Sequence, residues 1–244
     1  MRVAVISDIH GNLHALEATL AAVADEEPDA IWCLGDLVGY GPRPNECTLR
    51  VAGIADVCLI GNHDLGVLEQ ISLEEFSQEA AESARWTQGV LGDEARSYLS
   101  GLSPGAEIPE AGAELYHASP RDPVWEYVLD AGSMTAALED TVQPVILVGH
   151  SHVPLTAAIQ DGQLSAAHAP GGTEYYLSDR RVLLNPGSVG QPRDGDPRAA
   201  FVLLDLAEQH AQFHRVEYDV ERTQEEIREE GLPEPLAERL AHGL

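Results

Sequence analysis

The stretch that decides the fold is RVAVISDIHGNLHALEATLAAVADEE, Arg2 to Glu27. Its first six residues are a short β-branched run that reads as a buried strand. The remainder places Leu13, Leu16, Leu20 and Val23 at helical spacing. Two further apolar runs follow, AIWCLG (Ala30–Gly35) and ADVCLIG (Ala55–Gly61). Apolar strands separated by helices predict a parallel sheet covered by helices. Between the first strand and its helix lies Asp8-Ile9-His10, with two polar side chains just where the buried run ends.

Working outward, the pattern turns helical and polar from about Ser72 to Leu102. SLEEFSQEAAESARWTQ begins with Ser72 and Glu75 at capping-box spacing, which predicts a helix starting at Ser72. AELYHAS (Ala113–Ser119) and PVILVG (Pro144–Gly149) read as strands on either side of a helical stretch near Met134–Thr141. The chain to about Tyr218 then reads largely as β. LTAAIQDGQL has an Asp-Gly hairpin turn, and RRVLLN, AAFVLLDL and HAQFHRVEY follow. HAPGGTE (His168–Glu174) and NPGSVGQPRDGDP (Asn185–Pro197) read as loops, the second polar and long enough to suggest a functional role. His168 reads as a surface residue. No repeat or linker divides the chain. The expectation is one domain over 1–244, with a helical insertion at about 65–104 and an acidic helical tail at about 219–244, packed on one face and solvated on the other.

Composition narrows the function. The 244 residues carry 41 acids against 14 bases, a formal charge of −27. That excess argues against a nucleic-acid groove, which needs clustered cations. A small phosphorylated substrate stays compatible, because bound metal ions can supply positive charge. All the bases are arginine, so Schiff-base and P-loop lysines are excluded. Cys33, Cys47 and Cys58 fit neither a disulfide framework nor C-x-x-C and read as reduced residues. An acid at position 8 comes too early for a signal peptide, and no apolar run reaches membrane-spanning length. The expected location is cytoplasmic; oligomeric state is not legible.

The polar residues after each apolar run carry the chemistry. They are Asp8 and His10, then Gly35-Asp36, Gly61-Asn62-His63-Asp64, His117, and Gly149-His150-Ser151-His152. Singly, each has a plain structural reading: Asp8 caps a helix, Asp36 and GNHD make turns, His117 sits in the core, GHSH is a loop. Together they lie at the ends of five strands, where ligands bind in open α/β sheets. Asp, His and Asn without cysteine form a mixed oxygen and nitrogen donor set suited to Mn, Fe, Ni, Co or Zn. Residues two apart in an extended segment point the same way, so His150 and His152 could each reach one of two adjacent ions.

In this order, D-x-H, G-D, G-N-H-D, a lone His and G-H-S-H resemble the calcineurin-like metallophosphoesterase superfamily, most of all its small bacterial and archaeal single-domain branch. NPGSVGQPRDG is similar to that branch as well. The resemblance implies an α/β (α+β) fold of two packed mixed sheets flanked by helices, a four-layer α/β/β/α sandwich. It implies two divalent metal ions, manganese first among Mn, Fe, Zn, Ni and Co. Asp8, His10 and His152 would hold one ion, Asn62, His117 and His150 the other, with Asp36 bridging. A metal-bridging hydroxide would attack a small phosphodiester or phosphomonoester, His63 would assist the leaving group, and Asp64 would orient His63. Ala118 stands where many relatives have glycine and leaves the ligand set intact. Arg43, Arg121 and Arg193 lie in loops from which they could contact phosphate, or else pair on an acidic surface. Tyr40 and the segment around Trp86 either shape the cleft or simply pack. A dinucleoside polyphosphatase, a phosphoprotein phosphatase and a non-catalytic scaffold on the same fold are the alternative readings.

Overall fold

The strand–helix alternation of the first third gives a parallel half-sheet. In the computed structural model, which describes residues 1–177 and 181–244, β1 (Arg2–Ile6) leads into α1 (Leu13–Asp25), β2 (Ala30–Cys33), α2 (Pro44–Ala52) and β3 (Val57–Cys58). Then come α3 (Asn62–Val67), α4 (Gln78–Val90), α5 (Asp93–Ser100), β4 (Gly105–Ile108), β5 (Ala113–Tyr116), α6 (Ala131–Asp140) and β6 (Val145–Val148). The β-rich part holds β7 (Leu155–Gln160), β8 (Gln163–His168), β9 (Glu174–Tyr176), β10 (Val182–Asn185), β11 (Ala199–Asp205) and β12 (His210–Val216). It ends in α7 (Val220–Glu229) and α8 (Glu234–Glu238).

Among the described residues the strands form two six-stranded mixed sheets, ordered β3-β2-β1-β11-β12-β9 and β4-β5-β6-β10-β7-β8. Strand alternation splits the apolar residues between two faces. Val3, Val5, Trp32, Leu115, Leu147, Leu184, Val202 and Phe213 fill the space between the sheets. Ala4, Ile6, Cys33 and Phe201 face outward onto Leu16, Leu20 and Val23 of α1. On the other side Ile146, Val148 and Leu183 meet Met134, Ala137 and Leu138 of α6. This is the expected four-layer sandwich, and burial on both faces explains why β1 and β6 read as unbroken apolar runs. Parallel pairing puts the ends of β1, β2 and β3 on one edge of the first sheet and those of β5 and β6 on one edge of the second, and the residues that follow them meet between the two sheets' edges.

Several local expectations need correction. The capping box at Ser72 does not open a long helix. Ser72 caps only a 3₁₀ turn, Leu73–Glu75, after which Phe76 is extended. Ser77 accepts from the Ala80 amide and starts α4 instead. Asp8 does not cap α1; the Asn12 side chain does, accepting from Ala15 N at 3.1 Å, while the Asp8 carboxylate accepts from the His150 amide at 3.2 Å. The third apolar run forms strand only over Val57–Cys58, continues through Leu59 and Ile60 as a short bridge to Ser103, and then departs to deliver Asn62. Two short edge strands, β4 and β9, escape the periodicity reading because three or four residues are too few to show alternation. Arg180 of the RRVLLN run lies outside the described residues. No helix among the described residues is long and apolar enough to cross a membrane.

Candidate metal centre

The motif residues meet between the two edges, and the backbone is bent to bring them there. Asp8, His10, Asp36, His150 and His152 all have φ between 50° and 63°. This left-handed region disfavours residues with a Cβ by about 1–3 kcal/mol each and is kept where the surroundings enforce it. Here the enforcing contacts are backbone hydrogen bonds, Asp8 N to Gly35 O at 3.0 Å and His10 N to Asp36 O at 2.9 Å. The motif glycines allow close approach. A Cβ on Gly61 would lie 2.0 Å from Asp36 Oδ1, and one on Gly149 would lie 2.2 Å from Ser7 Oγ and 3.2 Å from Asp8 Oδ2.

Two clusters result. Asp8, His10, Asp36 and His152 each bring a donor atom within 4.8 Å of the others, as do Asp36, His117 and His150. In the first cluster His10 Nδ1 donates to Val38 O at 3.0 Å and His152 Nδ1 to Gln191 O at 2.6 Å. Both rings are thereby fixed in the tautomer whose Nε2 carries a lone pair. Those two Nε2 atoms face each other at 3.1 Å. Two lone pairs in that position repel unless a cation lies between them and the nearby carboxylates. The His152 Nε2 atom is 3.5 Å from Asp8 Oδ1, and that of His10 is 3.6 Å from Asp36 Oδ2.

The second cluster repeats the device. His117 Nδ1 donates to Leu34 O at 2.9 Å, so its Nε2 lone pair points at Asn62 Oδ1, 3.2 Å away, and Asp36 Oδ2, 3.5 Å away. His150 Nε2 is held by Trp125 O at 3.2 Å, which leaves Nδ1 as its available donor atom. Asp36 Oδ2 stands between the clusters, buried and without a hydrogen-bond partner. An orphaned buried carboxylate oxygen is costly, and a divalent cation on either side is the partner it lacks. Burial pushes the Asp8 carboxyl up to about 7, and burial with the neighbouring Asp64 raises Asp36 too. Burial and the Arg193 charge hold His10 and His152 well below the usual imidazole range. Burial thus favours the neutral, ligating form of His10 and His152, beside the Asp8 and Asp36 carboxylates that a cation would help to keep ionised. The residues fit a pair of metal ions.

His63 adjoins both clusters without belonging to either. Its ring lies 4.4 Å from the Tyr40 ring, 4.8 Å from His10 and 5.0 Å from Phe76, and its Nδ1 has no hydrogen-bond partner. Asp64 does not orient it. The Asp64 carboxylate is taken up by the amides of Leu37, Val38 and Gly61 at 2.9–3.0 Å, so it ties the Asp36 turn to the Gly61 turn.

The three arginines separate. Arg193 reaches the centre, donating from Nη2 to Tyr40 OH at 3.2 Å and Gln191 Oε1 at 3.0 Å. Arg43 instead clasps Glu226 of α7 through Nε and Nη2, both at 2.9 Å, and also pairs with Glu46. Arg121 pairs with Glu126. Acidic partners are abundant in this chain, and both loop arginines have found them. Tyr40 packs on His10 at 4.7 Å, whereas Trp86 is half-buried on α4 against the tail.

Sequence reasoning missed the cover. Phe76, Trp125 and Tyr127 form an aromatic lid, with Phe76 at 5.2 Å from Trp125 and Tyr127 stacked on His150 at 4.1 Å. The tail also does more than lie on the surface: Ile227, Leu236 and Leu240 pack beside Tyr40. Its amphipathic pattern was readable, but the surface it would meet was not. The NPGSVGQPRDG loop proves to be a scaffold: Ser188 Oγ donates to Asp8 O and Asn185 Nδ2 to Gly149 O.

A model of the calcineurin-like phosphoesterase superfamily domain matches residues 1–209. An uncharacterized protein of Methanocaldococcus jannaschii is 38% identical over 99% of this chain and 98% of its own length. A crystal structure of a metallophosphoesterase from Sphaerobacter thermophilus superposes with a TM-score of 0.91 at 40% identity, covering 100% of this chain and 99% of that one. A hypothetical protein of Pyrococcus horikoshii OT3 superposes at 0.79 with 25% identity, covering 100% and 98%.

Proposed function

This chain belongs to the calcineurin-like phosphoesterase superfamily, and on that premise we propose that it hydrolyses a small phosphomonoester or phosphodiester at a dinuclear metal centre. The observation that carries the reading is the unpartnered Asp36 Oδ2, at 3.6 and 3.5 Å from the Nε2 atoms of His10 and His117. In this reading Asp8, His10 and His152 hold one ion, Asn62, His117 and His150 the other, and Asp36 serves both. Two divalent ions, when bound, polarise a phosphoryl oxygen and make water a nucleophile near neutral pH.

The chain's own residues do the rest. The backbone carbonyls of Val38, Gln191 and Leu34 fix the ring orientations of His10, His152 and His117, so these three need not turn when substrate arrives. Arg193, tethered to Tyr40 and Gln191, offers its remaining N–H groups to a phosphoryl oxygen. Burial holds His63 well below the usual imidazole range, so it would donate a proton to the departing alkoxide only once the negative charge of a bound phosphate has raised it and it has taken a proton from solvent. Asp64 positions the turn carrying Asp36 and contributes no proton. The lid of Phe76, Trp125 and Tyr127 lies close over His63 and His150, which favours a small leaving group. The oxygen and nitrogen donor set without thiolate suits Mn, Fe, Co, Ni or Zn, and Mn²⁺ is the ion to supply first on the family resemblance.

Reconstitution with Mn²⁺ and assay on p-nitrophenyl phosphate and bis(p-nitrophenyl) phosphate tests the reading. Turnover of either that disappears on chelation is expected; a metal-loaded protein inert on both refutes it. His63→Ala is expected to lower kcat by about 10²–10⁴-fold with metal content unchanged. An unaltered kcat would remove His63 from the mechanism.

A further inference from the structure

We propose that the cleft under the C-terminal helices is a second phosphate subsite, so that the substrate is a phosphoester bearing another phosphate on its non-reacting half. This rests on the phosphoesterase reading above. A cavity of about 790 Å³ opens along the C-terminal helices, lined by Arg193 and by tail residues that include Arg228, Glu238, Arg239 and His242. Arg228 is committed to Glu234, with contacts of 2.6 and 2.9 Å. The cationic character therefore comes from Arg193 and Arg239, neither of which has a carboxylate at ion-pair distance among the described residues.

Eight described arginines, Arg2, Arg43, Arg50, Arg121, Arg198, Arg215, Arg222 and Arg228, pair with a carboxylate. Arg85, Arg96, Arg181, Arg193 and Arg239 do not, and of these five only Arg193 and Arg239 line this cavity. Two arginines left unpaired on the wall of one cavity mark a place that attracts an anion. The cavity also adjoins the metal centre. The guanidinium carbons of Arg193 and Arg239 lie 5.8 and 5.9 Å from the Tyr40 ring centroid. That same ring is 4.7 Å from His10 and 4.4 Å from His63. Both guanidinium groups thus lie close to one aromatic ring that also packs on the ligand His10 and on His63, and Arg193 belongs to both the cavity and the centre.

Arg239 spends one donor, Nε, on Pro235 O at 3.2 Å. The guanidinium's other N–H groups remain for a ligand, in the planar fork that matches two oxygens of a phosphate. A substrate with its scissile phosphoryl group at Asp36 and Arg193 and its second phosphate on Arg239 would span this wall. The metal ions would read one end and the tail the other.

The test is calorimetric titration of the Mn²⁺-loaded full chain with methylphosphonate and with α,ω-alkane bisphosphonates of graded length. One bisphosphonate should bind about tenfold tighter than methylphosphonate. Arg239→Met, which keeps an unbranched apolar stem against Tyr40, should erase most of that advantage, and Arg239→Lys should restore much of it. An advantage undiminished in Arg239→Met, no advantage in the wild type, or an equal gain from a carboxylate-ended phosphonate would overturn the proposal. Cleavage of bis(p-nitrophenyl) phosphate by the same preparation reports separately on the underlying reading. Cleavage without a bisphosphonate preference overturns the subsite alone. Arg239-dependent bisphosphonate binding without cleavage of any ester overturns the hydrolase and leaves the anion site standing.

Discussion

His152 and Tyr127 both border the centre, yet they are held there by opposite means. His152 follows a buried strand, has φ of 59°, and is fixed through Nδ1 by the Gln191 carbonyl at 2.6 Å. Tyr127 is 47% exposed on an irregular segment, and its recorded ring contact is the stack on His150 at 4.1 Å. The same contrast divides the whole site. The floor is set by strand ends, backbone hydrogen bonds and strained dihedrals, while the cover is set by side-chain packing and ion pairs. A floor that carries reactive groups cannot move far without losing its geometry. The two parts join where the carbonyl of Trp125, in the cover, holds the His150 ring at 3.2 Å.

The contrast is broken most severely at Asp36, the residue both clusters share. Asp36→Asn keeps the shape and removes the charge that two ions need. Metal analysis after dialysis should find both sites depleted, and hydrolysis should fall by about 10³-fold, since metal-ion stabilisation is worth several kcal/mol. Full occupancy in that variant would show that the clusters do not depend on a common carboxylate. Gly149→Ala attacks the floor from behind, forcing a Cβ to within 2.2 Å of Ser7 Oγ and 3.2 Å of Asp8 Oδ2. Overpacking of that kind costs about 1–3 kcal/mol. It should lower Tm by several degrees, and activity by more than stability alone explains, because Asp8 and His150 flank the intrusion. Unchanged Tm and activity would mean the floor is softer than its hydrogen bonds suggest.

These floor residues are also the ones legible in the sequence. Asp36 or His117 alone could be a turn or a core residue, but each sits directly after an apolar run. Parallel strand order then forces the run ends onto one edge of each sheet. The left-handed φ values at Asp8, His10, Asp36, His150 and His152 left no trace beyond the neighbouring glycines. Even the carbonyls of Val38, Leu34, Trp125 and Gln191 that lock the histidines are invisible, since any residue type supplies a carbonyl. The cover was illegible for another reason. Phe76, Tyr127 and Ile227 reach the site through contacts between segments far apart in sequence, and periodicity reports only which face of an element is apolar, not what it meets. The Ser72 capping box misled because Ser77 offers the same chemistry five residues later.

Tyr127→Ala sharpens the comparison between the two clusters. Its ring steadies His150 but touches no residue of the first cluster by stacking. An aromatic stack contributes about 0.5–1.5 kcal/mol. Affinity at one metal site, followed by titration of the apo-protein, should weaken by roughly 2–10-fold while the other stays as it was. Equal weakening at both would mean the cover acts on the centre as a unit.

The mildest test concerns the latch that holds the tail over the site. Buried Glu226 accepts from Arg43, and Arg222 and His14 approach it at 3.2 Å, so one carboxylate joins α7 to α1 and to the loop after β2. The Arg43 guanidinium is the main cause holding its carboxyl down at about 2, against an ordinary value of 4.5. A carboxyl depressed on folding stabilises fully above its unfolded pKa and loses that contribution as pH falls toward its folded pKa. Glu226→Gln should therefore lower Tm by a few degrees at pH 7, a shift of the order of 1 kcal/mol in a chain of this size. The gap between wild type and variant should narrow steadily as pH drops from about 5 toward 2. Metal content should not change, because the latch touches only the cover, while KM rises about twofold as the tail loosens beside Tyr40. A Tm gap that stays constant from pH 7 to pH 3 would mean that Glu226 holds the tail by shape rather than by charge.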